Sequence, residues 1–178
     1  YYSKGCDSKE LFADLEIAKS SLFECNLNQY NVIYLDITLF LSTLQRDETL
    51  IKQIEKEIIR DLGRVYSQVQ DEENLIDALC AVNEITGEKL ILIIDEWDAM
   101  FRECKGQDKI LDSYILLLRS LFKSSLTDQL FAGVYMTGIL PIKKYGHESA
   151  VSDFYEYTMV DPRPLQEYIG FTEAEVKA

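Results

Sequence analysis

The chain has 178 residues and a mass of 20.6 kDa, which is enough for one domain with a hydrophobic core but short of two ordinary domains. Its composition, 47% hydrophobic and 28% charged, is that of a folded globular protein and not of a disordered tail. The net charge of −13 argues against a domain whose main task is to bind nucleic-acid phosphates or an anionic membrane, and no apolar run approaches the ~20 residues of a membrane span.

Cysteine and histidine usage narrows the chemistry further. The four cysteines are widely spaced and form no CxxC pair, so a structural zinc site is not expected. Cys80 falls within an apolar helical pattern and is interpreted as a small buried hydrophobic residue. The cysteine usage as a whole favours a reducing, cytoplasmic setting. The single histidine, His147, excludes a mechanism that needs two imidazoles from this chain.

Periodic apolar residues predict an alternation of helices and strands. The first helix is predicted to be short and to open at residues 7–10, which have the form of a capping box. The longer helices are predicted over 47–69, from the acidic run 71–73 to Gly87, and over 108–125. The strands are predicted over 32–37, 90–94 and 131–137, with an aromatic-rich fourth over 154–160, and a last helix opens at the capping box 172–175.

The segment 90–94 contains five aliphatic residues without a break, which is typical of a central parallel strand covered on both faces. Strands that alternate with helices predict right-handed crossovers and a parallel sheet. Ligands of such sheets bind beyond the carboxyl ends of the strands. We therefore expect the polar residues that follow the three strands, Asp36, Asp95 with Glu96, and Thr137, to cluster at one end of the sheet.

Residues 91–96, ILIIDE, have the form of a Walker B segment. In that arrangement a buried strand presents an aspartate to the Mg²⁺ of a nucleotide, and the next glutamate orients and deprotonates a water molecule. A buried parallel strand can equally end in an acid that caps the following helix, and both interpretations stay open here. Thr137 could hold the attacking water or contact the terminal phosphate, although a threonine before Gly138 is also typical of a strand end and turn.

Other parts of a nucleotide site are absent or undecided in the sequence. The phosphate-loop pattern GxxxxGK[ST] does not occur, so the chain contains half of such a site. Arg102, Arg119 and Arg163 could each serve as an arginine finger, and nothing selects one of them. The basic and aromatic cluster within 143–147 is interpreted as a solvated loop, with contact to a nucleotide or a partner as the alternative.

Several segments together resemble the bacterial AAA-ATPase-like family, a branch of the P-loop NTPases whose members often carry a C-terminal nuclease-like domain. The matching segments are YYSKG (1–5), LFADLEI (11–17), YNVIYLD (30–36), IDEWD (94–98), MTGILPIKKYG (136–146) and GFTEAEV (170–176). Departures from the family's usual residues occur at Trp97, Met100 and Ser152, where Tyr, Pro and Asn are common.

The resemblance implies an α/β fold of three layers, a P-loop NTPase-like parallel sheet with helices on both faces, from which the first strand and the P-loop are missing upstream of Tyr1. It implies that residues 1–168 are a partial ATPase-like core and that 169–178 start a following helical region. It also implies ATP and Mg²⁺ as cofactors, with Asp95 and Asp36 as cofactor-binding residues and Asp95 as the Mg²⁺ ligand. The implied catalytic residues are Glu96, as the catalytic carboxylate, and Thr137, as a sensor-like residue. The partner of Asp98 is left open.

Two functional hypotheses follow. The first is an ATPase core that acts on Mg-ATP together with the missing upstream segment, in which case this chain alone should neither bind ATP tightly nor hydrolyse it. The second is a non-enzymatic NTPase-like scaffold that binds a protein partner. The resemblance also places the missing strand between 131–137 and 154–160, so we expect no hydrogen-bonded ladder between these two segments.

Overall fold

The computed structural model of the chain describes residues 1–139, 154–158, 160–161, 163–165 and 176–177. The helices and strands of this part are, in chain order, α1 Lys9–Phe12, α2 Phe23–Asn26, β1 Asn31–Asp36, α3 Ile37–Thr43, α4 Leu50–Val65, α5 Leu75–Thr86, β2 Leu90–Asp95, α6 Ala99–Glu103, α7 Asp108–Phe122, α8 Thr127–Leu130 and β3 Phe131–Met136. Within the described residues, short 3₁₀ helices span Glu16–Lys19, Ser67–Val69 and Arg163–Leu165. The chain forms two compact units, residues 1–29 with 153–178 and residues 30–152, and the second contains all three strands.

The three strands form one parallel sheet in the order β1-β2-β3. The register of β1 and β2 runs from Asn31 opposite Leu90 to Asp36 opposite Asp95. The pairing of β2 with β3 is also parallel, with an irregularity between Leu90 and Ile91. The prediction of parallel neighbours with 90–94 in the middle is therefore confirmed, and the molecule has a mixed α/β fold.

One face of the sheet is covered by three helices. Side chains of β1, β2, α4, α5 and α7 line a small apolar cavity on this face, namely Ile33, Leu35, Leu92, Ile58, Leu75, Leu79 and Leu121. Most of them are fully or nearly buried, so this contact is the core of the unit formed by residues 30–152. Apolar burial of this kind supplies most of the free energy that holds helices on a sheet.

The opposite face carries a row of three side chains that the register aligns. Tyr34 lies opposite Ile93, which lies opposite Tyr135. The two tyrosines are 58% and 54% exposed, and Ile93 is the one aliphatic residue of β2 that is only half-buried. The sequence predicts that strand 90–94 is buried on both faces. The structure shows less burial at this row than on the first face.

The long helices differ from their predicted bounds where the chain turns. Helix α4 ends at Val65, and residues 67–69 of the predicted 47–69 helix form a 3₁₀ turn instead. After this turn the chain passes close to α4 at Gly63. The absence of a side chain permits this approach, because a Cβ atom at position 63 would lie 3.1 Å from the Cα of Gln70. Helix α7 follows its prediction but stops at Phe122.

The prediction that the acidic run 71–73 opens a helix is wrong, because α5 begins at Leu75. Asn74 is its N-cap, and the Asn74 Oδ1 accepts a hydrogen bond of 2.8 Å from the backbone N–H of Asp77. A side-chain acceptor at the N-cap outweighs acidic residues further upstream, because it pairs a backbone donor directly. Gly87 ends the helix with a φ of 66°, as predicted.

Three smaller predictions are also corrected. The capping box at 7–10 does not form, because the Ser8 hydroxyl donates to Asn28 Oδ1 at 3.1 Å and α1 has only four residues. Cys80 is half-buried, since it lies at the margin of the buried stripe of α5. The described residues of 154–160 form no strand, and Thr158 makes an isolated antiparallel bridge with Asp161.

Two predicted features lie outside the described residues, namely the basic and aromatic cluster 143–147 and the capping box 172–175. All four cysteines are free. Among the described helices, none combines the length and the apolar character needed to cross a membrane.

The start of α5 can be tested by substitution. We expect Asn74→Ala to lower the free energy of unfolding by about 1 kcal/mol, because the N–H of Asp77 loses its acceptor. Glu73→Ala changes an exposed residue that precedes the helix, and its effect should stay within about 0.5 kcal/mol. Urea unfolding followed by circular dichroism measures both variants, and equal losses would contradict this helix start.

Candidate functional site

The residues that follow the three strands meet at one end of the sheet. Asp36 and Asp95 lie opposite each other in the register of β1 and β2. Thr137 continues β3, and its backbone N–H donates to the carbonyl of Ile94 at 2.9 Å. Glu96 follows Asp95 directly. The predicted clustering of these four residues is confirmed, whereas their roles stay predictions.

The carboxylate of Asp95 is held between hydroxyl groups from both neighbouring strands. Its Oδ1 accepts a hydrogen bond from Thr137 Oγ1, and its Oδ2 accepts one of 2.7 Å from the hydroxyl of Tyr34. These two bonds, with that from Thr137 the stronger cause, hold the pKa of Asp95 below its ordinary value. Asp95 is therefore an oriented anion at neutral pH.

Tyr34 is a site residue that sequence reasoning missed. It precedes Asp36 by two positions, so both side chains point to the same face of β1. The hydrogen bond to Asp95, and partial desolvation, raise the pKa of the Tyr34 hydroxyl, so it remains a donor. The period of two along the strand could have indicated it, but an exposed tyrosine on a strand is common and carries no chemical signal of its own.

Glu96 lies in a sharp turn directly after β2. Its φ is 52°, in the left-handed region that residues other than glycine rarely adopt. The Glu96 N–H donates to Thr137 Oγ1 at 3.2 Å, and the Glu96 carbonyl accepts from the N–H of Ala99 at 2.8 Å. These bonds maintain the strained backbone, and such strain is often found at functional sites.

Asp98 has its partner in Arg102, one of the three arginines that the sequence offered as candidates. The Asp98 carboxylate is completely buried, and its Oδ2 accepts from Arg102 Nε at 3.1 Å. A terminal nitrogen of Arg102 also pairs with Glu96 Oε2. The sequence predicts no helix over 99–103, so the spacing of four residues between Asp98 and Arg102 did not indicate the first of these contacts.

The segments after β2 and β3 pack closely against each other. The backbone N–H of Trp97 donates to the carbonyl of Thr137 at 2.9 Å, and the carbonyl of Trp97 accepts from the hydroxyl of the buried Tyr114 at 2.9 Å. A Cβ atom on Gly138 would lie 2.7 Å from Asp98 Oδ1 and 2.8 Å from two atoms of the Trp97 ring. Only glycine therefore fits at position 138 without a shift of its neighbours.

Asp36 has a structural task at the start of α3. As the N-cap, its Oδ1 accepts from the N–H of Leu39 at 2.9 Å and from the hydroxyl of Thr38 at 2.6 Å. The bond from Thr38, followed by that from Leu39, lowers the pKa of Asp36. A role in cofactor binding remains a prediction for this residue.

The donor set at Asp95 suits Mg²⁺ held together with phosphate oxygens. Mg²⁺ prefers hard oxygen ligands and is commonly bound by one or two carboxylates, with phosphates and water completing the octahedron. Asp95 supplies an ionised carboxylate, and Thr137 supplies a hydroxyl beside it. No group of three His, Cys, Asp or Glu side chains within the described ranges could hold a metal ion by itself. The residues present thus fit a shared metal site.

A comparison with protein-family models finds one that covers most of the chain. The model described as Predicted AAA-ATPase, AAA-ATPase_like, matches residues 1–147 of the 178. The chain belongs to this family. The match includes all three strands and every residue of the site described above. No curated protein and no solved structure matches the chain.

The close approach at Gly138 makes a direct prediction about this AAA-ATPase-like chain. We expect Gly138→Ala to lower the free energy of unfolding by about 1–3 kcal/mol, because the new methyl group overlaps Asp98 and Trp97. Gly133→Ala is the matched control, since a Cβ atom in that position meets nothing within 4 Å. Trp97 is the single tryptophan, so its fluorescence reports on this turn during unfolding. A Gly138→Ala variant as stable as Gly133→Ala would contradict the packing described here.

The capping role of Asp36 makes a second, pH-dependent prediction. Asp36→Ala should lower the free energy of unfolding at pH 7 by about 1 kcal/mol, whereas Asp36→Asn keeps the acceptor and should lose less. Because the pKa of Asp36 is lowered on folding, its ionised form stabilises the protein above about pH 4. That contribution disappears as the pH falls through the folded-state pKa. The difference between wild type and Asp36→Asn in urea unfolding should therefore shrink below pH 4, and a constant difference would contradict the role of the charge.

Proposed function

We propose that this chain contributes the magnesium-binding and water-activating residues of an ATP-binding and ATP-hydrolysing site in a P-loop NTPase-like domain. The observation that carries the proposal is the oriented carboxylate of Asp95 at the carboxyl end of the central parallel strand, next to Glu96. Ligands of parallel sheets bind at this end. Membership of the AAA-ATPase-like family supports a nucleotide as that ligand.

Asp95 is the Walker B aspartate in this proposal and the protein ligand of Mg²⁺. Its low pKa keeps it anionic, and its bonds from Thr137 and Tyr34 fix its direction before any ligand arrives. A bound Mg²⁺ neutralises charge on the phosphates during transfer. Asp36, opposite Asp95 on β1, borders the same cofactor site.

Glu96 is the group that orients the attacking water and accepts its proton. Its carboxylate is 33% exposed, so water can reach it, and the turn after β2 keeps it beside Asp95. General-base catalysis of this kind contributes about 10²–10⁴-fold to a rate. Thr137, whose hydroxyl already bonds Asp95 and the N–H of Glu96, is the sensor-like residue that contacts the terminal phosphate or the water.

The proposed site is completed by a phosphate-binding loop that these 178 residues do not contain, since no GxxxxGK[ST] pattern occurs among them. Backbone N–H groups of such a loop make most contacts to the phosphates. We propose that a segment preceding Tyr1 supplies it, and that the nucleotide is bound jointly. A bacterial origin remains an implication of the resemblance, and a cytoplasmic location remains a prediction from the cysteine pattern.

The test compares three variants of a protein that includes the segment proposed to precede Tyr1. Glu96→Gln should keep the affinity for Mg-ATP and lower kcat by about 100-fold or more, because an amide cannot accept the proton of the attacking water. Asp95→Asn should weaken magnesium-dependent ATP binding, measured by calorimetry. Glu103→Gln is the matched control, since Glu103 lies on α6 and pairs with Arg46 instead of Arg102.

The outcomes separate the ATPase from the scaffold hypothesis. A Glu96→Gln variant that hydrolyses ATP like wild type would overturn the catalytic assignment. A wild-type protein that binds no Mg-ATP at all would favour the non-enzymatic scaffold that binds a protein partner. Micromolar binding of Mg-ATP by the 178-residue chain alone would contradict the need for a further phosphate-binding segment.

A further inference from the structure

We propose that Arg102 is a positioning residue for Glu96: anchored on the buried carboxylate of Asp98, its guanidinium holds the carboxylate that activates water. The inference deepens the proposed function and rests on it for the role of Glu96. The three residues come from one short stretch, the turn after β2 and helix α6.

Arg102 is anchored by its contact with the buried carboxylate of Asp98. Asp98 is completely buried, and a buried carboxylate is costly unless a cation and hydrogen-bond donors compensate its charge. Arg102 Nε lies 3.1 Å from Asp98 Oδ2, and the backbone N–H of Arg102 donates to the carbonyl of Asp98 at 3.1 Å. The other carboxylate oxygen, Oδ1, accepts from the N–H of Ile139. Arg102 is thus fixed by contacts that do not involve Glu96.

The second end of the guanidinium reaches Glu96. A guanidinium is a planar group with five N–H donors, so one edge can bond Asp98 while another bonds a second carboxylate. The contact uses Glu96 Oε2, which leaves Oε1 as the oxygen for the water molecule. A glutamate that is 33% exposed would otherwise move among several rotamers. The ion pair with a fixed arginine removes this freedom before the nucleotide binds.

An alternative explanation is that the bridge only stabilises the turn. Lysine distinguishes the two roles, because its compact ammonium group cannot span both carboxylates. In Arg102→Lys the ammonium should go to Asp98, whose buried charge needs it more than the partly exposed Glu96 does. This variant therefore keeps the fold and loses the hold on Glu96. Arg64→Met, which removes an exposed arginine paired with Asp61, is the control.

The first readout needs no ATP hydrolysis. The carboxylate ¹³C resonance of Glu96, assigned by its loss in Glu96→Gln, should move in Arg102→Lys and stay in place in Arg64→Met. Emission from Trp97 should remain as in wild type, since the turn itself is intact. Should Arg102→Lys fold poorly, the double variant Arg102→Met with Asp98→Asn removes both charges together, keeps an acceptor for Ile139, and should move the same resonance.

The second readout is catalytic and uses the protein with its preceding segment. Arg102→Lys should lower kcat about 10- to 100-fold and leave KM unchanged, because misplacing a catalytic group acts on the chemical step. In the Glu96→Gln background the same substitution should cause no further loss, since Arg102 acts through Glu96.

The outcomes keep this inference distinct from the function on which it rests. An unmoved Glu96 resonance in Arg102→Lys overturns the inference whether or not ATP is hydrolysed. An equal loss of kcat in wild-type and Glu96→Gln backgrounds overturns it as well, because it indicates a purely structural role. A moved resonance in a protein that hydrolyses no ATP overturns the proposed function alone and leaves the hold of Arg102 on Glu96 supported.

Discussion

The buried carboxylate of Asp98 is the constraint on which the rest of the site depends. With no exposure to solvent, its charge has to be compensated by Arg102 and by the backbone N–H of Ile139. The contact with Arg102 fixes helix α6 to the turn after β2. The contact with Ile139 holds the segment after β3 against the same turn. Gly138 follows from the same constraint, because a side chain there would overlap Asp98. One ionised group therefore determines how the ends of two strands meet.

The geometry at Asp95 depends on that meeting. The backbone bonds between Trp97 and Thr137 and between Thr137 and Ile94 keep β3 in contact with β2 beyond the last paired residue. They bring the Thr137 hydroxyl onto Asp95 from one side, and the parallel register brings Tyr34 from the other. The carboxylate is oriented by groups that the fold already places, so the ligand proposed for this site would require little reorganisation of it. Preorganisation of this kind is where enzymes gain most of their electrostatic stabilisation.

The sheet and the end at which the candidate site lies could be predicted from the sequence because their signals are local. Five consecutive aliphatic residues indicate a central strand, and a parallel sheet places every carboxyl end on one edge. The start of helix α5 was harder to predict, because the acidic run 71–73 and the adjacent Asn74 are both typical of a helix N-terminus. The hydrogen bond from the N–H of Asp77 to Asn74 places the start at Leu75. Tyr34 and Arg102 could not be singled out, because their contacts depend on the register and on the turn at Glu96. A left-handed φ at a glutamate has no sequence signal at all.

Asp36 and Asp95 show how the structure separates two interpretations that are equal in sequence. Each acid ends a parallel strand, and each could cap the next helix or bind a ligand. Asp36 does cap its helix: its Oδ1 accepts from the N–H of Leu39 in the first turn of α3. Helix α6 has Asp98 at its N-cap position instead, and the carboxylate of Asp95 is bonded by two hydroxyls from the neighbouring strands. A carboxylate that performs no capping, and whose pKa is lowered by hydroxyl groups of two neighbouring strands, is an oriented anion at the end of the sheet. An anion of this kind is a ready ligand for a cation, and this is the physical ground on which we propose Asp95, and not Asp36, as the metal ligand.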